Sequence, residues 1–98
     1  MVKNTETAAL VAEYLLQIKA IKLNKSKPFV WASGLHSPIY CDNRIALSYP
    51  KVRNYIRQQL VTYINEEYGL VDVVAGVATA GIPQGVLVAQ EMGLPFVY

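Results

Sequence analysis

The sequence holds little that could cross-link or chelate. Cys41 is the single cysteine, so no intramolecular disulfide forms and four-cysteine zinc sites are excluded. His36 is the single histidine, and one histidine with one cysteine makes no zinc site without carboxylates. Charge is sparse, with 16% Asp, Glu, Lys and Arg and a formal net charge of +2. The nine basic residues are scattered, so no polybasic tract marks nucleic acid or an anionic membrane. The longest apolar stretch, Leu70 to Ala80, is broken by Asp72 and falls short of the roughly 20 residues that span a bilayer. No apolar signal-peptide segment follows Lys3 to Thr7. The G-x-G-x-x-G fingerprint and the Gly-Lys-Ser/Thr ending of a P-loop are both absent. What remains is 98 residues at 53% hydrophobic, a composition that forms a core. The expectation is one small, reduced, soluble, cytoplasmic domain.

Periodicity supplies the elements. Asn4 or Thr5 can cap a first helix, with Glu6 where the helix dipole favours negative charge. Ala8, Val11, Ala12, Leu15 and Ile18 give that helix an apolar face. Ile21 to Asn24 alternates like a short strand, and Lys25 to Pro28 is a polar turn. Turn signals at Ser33-Gly34 and Ser37-Pro38 make Phe29 to Cys41 an irregular hairpin. Ser48 as N-cap and Pro50 in the first turn open a long helix, and Gly69 stops it. Val52, Tyr55, Ile56, Leu60, Tyr63 and Ile64 form its apolar face. Val71 to Val77 reads as a strand buried on both faces, as in parallel sheets. Pro83 opens a further helix at Ile82, Gly93 closes it, and Leu94 to Tyr98 begins a second strand. The last 28 residues are thus a parallel strand–helix–strand unit. A parallel sheet needs more strands than two, so the chain reads as a truncated α/β domain.

Two segments have the chemistry of a site. Gly76 to Pro83 follows the carboxyl end of a buried strand, where open α/β sheets bind ligands. Its small residues would let phosphates reach main-chain N–H groups and a helix N-terminus. The same loop also reads as an ordinary tight turn using glycine for its backbone freedom. Trp31 to Arg44 mixes aromatics, hydroxyls, an amide and an arginine in non-helical chain, which suits a flat polar ring. The commoner reading of such a segment is a surface hairpin with Trp31 and Tyr40 packed on the core. His36 sits in a Gly/Ser/Pro turn and is read as exposed, Cys41 as a small buried side chain. Asp42 and Arg44 either pair or cap a turn.

The string Pro28 to Arg44 (PFVWASGLHSPIYCDNR) resembles the N-terminal hood of bacterial orotate phosphoribosyltransferases. The likeness continues through Leu47 to Pro50, Val52-Arg53, Val74 to Pro83 and Gly93 to Pro95. It implies a type I phosphoribosyltransferase fold, a parallel sheet flanked by helices with an N-terminal hood. Residues 1–47 would be the first helix and hood, and 48–98 the first part of the α/β core. It implies transfer of a phosphoribosyl group from phosphoribosyl pyrophosphate to orotate, giving orotidine 5'-monophosphate and pyrophosphate in pyrimidine biosynthesis. Mg²⁺ would come with the phosphoribosyl pyrophosphate, and the enzyme would be a cytoplasmic homodimer. Ser33, Gly34, Tyr40 and Cys41 would bind orotate, the last two through main-chain groups. Ala78, Thr79, Ala80 and Gly81 would form the pyrophosphate loop. No catalytic residue falls within this chain, whose activity alone is expected to be nil. The family's basic loop and acidic phosphate–ribose loop are expected beyond Tyr98.

Some relatives carry an aromatic–lysine pair where Thr79-Ala80 stands, and a lysine where Ala32 stands, so this sequence resembles the subgroup without them. Three other readings remain. A purine or uracil phosphoribosyltransferase should lack the Ser-Gly…Ser-Pro hood pattern. A regulatory, nucleotide-sensing binding module should carry an added basic DNA-binding domain. A structural dimerisation module built on helix 48–68 should bind no orotate.

Overall fold

The computed structural model describes residues 2–98. The described chain forms two compact units, Met1–Tyr49 and Pro50–Tyr98. In the first, α1 (Thr5–Gln17) starts where Asn4 Oδ1 accepts the Thr7 N–H at 3.0 Å, the local cap its sequence anticipates. Its covered stripe is rotated from the one anticipated. Leu10, Val11, Tyr14, Leu15 and Ile18 are half-buried, whereas Ala8 and Ala12 face out. The larger side chains take the inward positions because they gain more by burial.

Four short strands follow: β1 (Ile21–Leu23), β2 (Phe29–Val30), β3 (His36–Ser37) and β4 (Ile39–Cys41). The connection from β1 to β2 is held by Asn24, whose Oδ1 accepts from the Lys27 N–H at 3.0 Å and the Ser26 hydroxyl at 3.1 Å. The expected hairpin forms only as far as β3, with Phe29 opposite Ser37 and Val30 opposite His36. At Pro38 the chain leaves it. Ile39–Cys41 instead pairs antiparallel with β1, Ile21 opposite Cys41 and Leu23 opposite Ile39. Pro38 has no N–H to continue the first ladder, and the Ser37 hydroxyl accepts the Ile39 N–H at 3.2 Å at the crossover. Ser37 is the buried polar residue there. A 3₁₀ turn, Asn43–Ser48, then packs Ala46 inward. Ser48 therefore ends this turn and does not act as the expected N-cap of the next helix.

The second unit begins with α2 (Pro50–Tyr68), terminated at Gly69 with φ +67° and its N–H on the Asn65 carbonyl at 3.2 Å. Val52 is its buried side chain. β5 (Val74–Ala75) and β6 (Phe96–Val97) pair in parallel, Val74 opposite Phe96 and Ala75 opposite Val97. Between them runs α3 (Gly81–Met92), which buries Val88 and Ala89 and ends on left-handed Gly93. The strand expected over Val71 to Val77 is thus two residues long and not buried on both faces. Val73 is 48% exposed and Val77 82% exposed. Two strands cannot cover both faces of a sheet, and the valines beyond the pairing stay open. Among the described residues no large side chain is fully buried and no helix is long and apolar enough to cross a membrane.

Candidate functional site

In the first unit the sequence Val30-Trp31-Ala32 runs out of β2 and faces β4 across an open cavity of ≈ 460 Å³. Val30, Trp31, Ala32, Tyr40 and Cys41 line it. Trp31 is fixed from two directions. Its main-chain N–H donates to the Leu35 carbonyl at 2.9 Å, and its indole Nε1–H donates to the Ile39 carbonyl at 3.0 Å. The ring therefore bridges from the hairpin to β4 and closes one wall. Phe29 leans on Tyr40, ring centroids 5.8 Å apart at 38°, and steadies the other.

Ladder parity decides which main-chain groups reach this cavity. The Asp42 N–H donates to the Ala20 carbonyl and the Asn24 N–H to the Pro38 carbonyl, both at 2.8 Å. Alternation along an antiparallel ladder then turns the N–H and C=O of Tyr40 toward Lys22 on β1. Those of Ile39 and Cys41 point to the opposite edge, where the Ile39 carbonyl meets Trp31. Tyr40 thus offers the cavity its side chain, and Cys41 its main chain. The Cys41 thiol is exposed, not buried as a small hydrophobe, and donates to Asn43 Oδ1 at 3.1 Å.

Ser33 and Gly34 occupy the β2–β3 turn and are not among the lining residues. Gly34, at φ +86°, donates its N–H to the Trp31 carbonyl at 2.8 Å, and the Ser33 hydroxyl accepts the Leu35 N–H at 3.5 Å. Both shape the turn that carries Trp31. His36 lies exposed on β3. Asp42 both caps the 3₁₀ turn, accepting the Arg44 N–H at 3.1 Å, and pairs with the Arg44 guanidinium through two 2.8 Å bonds. The Arg44 side-chain bonds hold the Asp42 carboxyl below its ordinary range against desolvation, the next-largest influence, with lesser help from the Arg44 N–H and the charges of Arg44 and Lys22. Asp42 in turn raises Arg44.

The second segment lies in the other unit, between β5 and α3. Ala78, Thr79 and Ala80 are exposed, and the Ala78–Thr79 peptide is cis. The Gly81 N–H donates to the Val77 carbonyl at 2.8 Å and the Ile82 N–H to the Thr79 carbonyl at 3.2 Å. α3 begins at Gly81, one residue before the expected start, and has no side-chain N-cap. In that first turn the Gly81 and Ile82 N–H groups are taken by loop carbonyls and Pro83 carries none, so an anion here would have to be met by the amides of the loop itself. No basic side chain occurs in Ala78 to Gly81. Among the described residues no group of three or more His, Cys, Asp or Glu side chains could hold a metal ion.

The sequence reading missed two contributions. Trp31 acts as a hydrogen-bonded wall, and Phe96 packs against the glycines that flank the loop.

No family model matches the chain. Among curated proteins, it is 58% identical over 89 residues to the orotate phosphoribosyltransferase of Phocaeicola vulgatus, covering 91% of this chain and 42% of that protein. It is 57% identical over 96 residues to that of Bacteroides thetaiotaomicron, covering 98% and 44% respectively. Among solved structures, the orotate phosphoribosyltransferase from Aeropyrum pernix superposes with a TM-score of 0.69 at 25% identity, over 88% of this chain and 50% of that one. The chain spans less than half the length of the curated relatives it matches. Along nearly all of its own length it corresponds to the N-terminal portion of orotate phosphoribosyltransferases and carries that part of the type I phosphoribosyltransferase fold.

Proposed function

We propose that this chain supplies the base-binding hood and the pyrophosphate loop of an orotate phosphoribosyltransferase. The observation that carries the proposal is the cavity walled by Trp31 and Tyr40, onto whose edge Cys41 turns its main-chain N–H and C=O. A flat pyrimidine fits between aromatic walls and pairs its polar edge with a strand edge. Tyr40 and Cys41 contact orotate directly in this reading, while Ser33 and Gly34 hold the turn that carries Trp31. The loop Ala78-Thr79-Ala80-Gly81 binds pyrophosphate through main-chain N–H groups. The substrates are orotate and phosphoribosyl pyrophosphate, the latter taken with its Mg²⁺. The setting is cytoplasmic and the assembly a homodimer.

In the reaction the ribose C1–O bond to pyrophosphate breaks and a C1–N bond to orotate forms. Pyrophosphate leaves with the electron pair, and orotate gives up its ring N–H proton. The ribose carbon passes through a cation-like state. Rate then comes from holding the two partners in line and stabilising the departing charge, and no covalent nucleophile is needed. This chain brings positioning groups but no acid, base or cation in its loop, so binding without turnover is its expected behaviour.

Calorimetric titration of the chain with orotate, with uracil as control, tests the assignment. Orotate binding that exceeds uracil binding and disappears in Trp31→Ala supports it. Equal or absent binding of both sinks it. Orotate absorbance followed with phosphoribosyl pyrophosphate and Mg²⁺ present should stay flat. Full turnover would overturn the expectation of inactivity.

A further inference from the structure

The loop between β5 and α3 is exposed, yet its two ends are held by an unusually close fit. Gly76, just after β5, donates its N–H to the Val97 carbonyl on β6 at 2.9 Å. A methyl group built on Gly76 would lie 2.8 Å from the Gly81 carbonyl oxygen and 2.8 Å from Cζ of Phe96. One built on Gly85, in the second turn of α3, would lie 2.6 Å from Cε1 of Phe96 and 3.3 Å from the Gly76 Cα. Real side-chain carbons do not approach so closely, so only glycine fits at either position. The edge of the Phe96 ring is thus seated in a notch between two bare backbones, one at each side of the loop. Tyr98 stacks on the same ring, centroids 6.3 Å apart at 30°.

We propose that Phe96 is a positioning residue for the Val77–Gly81 loop. It touches no ligand. Its ring sets the separation of the end of β5 from the first turns of α3, and so the direction of the loop's N–H groups. Phe96 comes from β6, the strand after the helix, so pairing of the second strand is what shapes the loop after the first. The inference rests on reading that loop as the pyrophosphate site, and adds to it the residue that sets its geometry.

The test uses the whole 98-residue chain, ¹⁵N-labelled, with Gly85→Ala, Phe96→Leu and the two combined. Gly85→Ala fills the notch, Phe96→Leu opens it, and the pair offset each other in volume. Loop amide shifts are read without ligand, and then pyrophosphate (with Mg²⁺) and orotate are titrated separately. In Gly85→Ala the amides of residues 77–81 should move and pyrophosphate should weaken by about tenfold to a hundredfold, since small misplacements of binding groups have effects of that order. Orotate affinity should not change, and the combined variant should recover toward the original chain. A folded Gly85→Ala with unmoved amides and unchanged pyrophosphate affinity overturns the proposal. So does a parallel fall in orotate affinity, which marks a global effect. If Gly85→Ala fails to fold, Phe96→Leu decides by the same readings. If the unaltered chain binds no pyrophosphate, the site assignment fails alone. Positioning is then decided by the loop amides, supported if the variants displace them and overturned if not.

Discussion

The two units build their candidate sites in opposite ways. In Met1–Tyr49 the opening is built by polar bonds between side chains and main chain: Trp31 to the Ile39 carbonyl, Ser37 to the Ile39 N–H, Asp42 to Arg44. In Pro50–Tyr98 main-chain bonds from Gly76, Gly81 and Ile82 hold the loop, Phe96 is wedged against Gly76 and Gly85, and α3 has no side-chain cap. The difference matches what each is proposed to hold. A flat ring is oriented by walls and a strand edge, and walls can be hung on a few directional bonds. A phosphate is held by several N–H groups at once, and their common aim depends on backbone spacing, which only packing sets. Damage should therefore be steep in the second unit and graded in the first.

The largest effect is expected at Gly76→Ala. Its new methyl meets a backbone carbonyl oxygen at 2.8 Å as well as the Phe96 ring, and a backbone atom cannot swing aside. Overpacking of this kind costs about 1–3 kcal/mol. Far-ultraviolet circular dichroism, dominated by α2 and α3, should show an earlier melt. Fluorescence of Trp31, the single tryptophan, should report an unchanged first unit. A shift of both signals together would break the comparison. Trp31→Phe comes next. It keeps an aromatic wall but loses the bond to the Ile39 carbonyl, a loss of about 1 kcal/mol at a part-exposed site. Orotate titration should show weaker binding, with pyrophosphate unaffected. Asn4→Ala removes the cap on α1, again about 1 kcal/mol, and should lower the melt of the first unit without touching orotate affinity.

What the sequence disclosed was local. Asn4, Gly69 and Gly93 end their helices through bonds that span a few residues, and α2 and α3 follow from them. The hood segment and the loop were visible as compositions. Their construction was not, because it depends on pairing. Nothing near Ile39 says that it joins β1 in preference to continuing the hairpin, yet that choice puts Cys41 and not Tyr40 on the open edge. Likewise Gly85 and Phe96 are ordinary residues of a helix and a strand until the parallel register Ala75 to Val97 brings them together. For Asp42 and Arg44 the sequence left pairing and capping as alternatives, and the structure contains both.

The smallest effect concerns that pair, and its sign follows from the shift. Arg44 holds the Asp42 carboxyl below its ordinary value of 3.8, so the folded chain keeps this carboxylate charged to lower pH than the unfolded chain does. A depressed acid contributes its stability above the unfolded pKa and loses it as pH falls through the folded one. The window is therefore acidic, beginning near pH 3.8 and extending below it. The Arg44 side chain is 63% exposed, so water screens the pair and its share is slight. Trp31 fluorescence melts recorded on acidification should fall a little faster for the original chain than for Asp42→Asn. The variant keeps an oxygen to accept the Arg44 N–H but has no charge to lose. Identical acid profiles would mean that Asp42 serves the first unit only as the cap of its 3₁₀ turn. A steeper fall in Asp42→Asn would mean that the Arg44 partner assigned here is wrong.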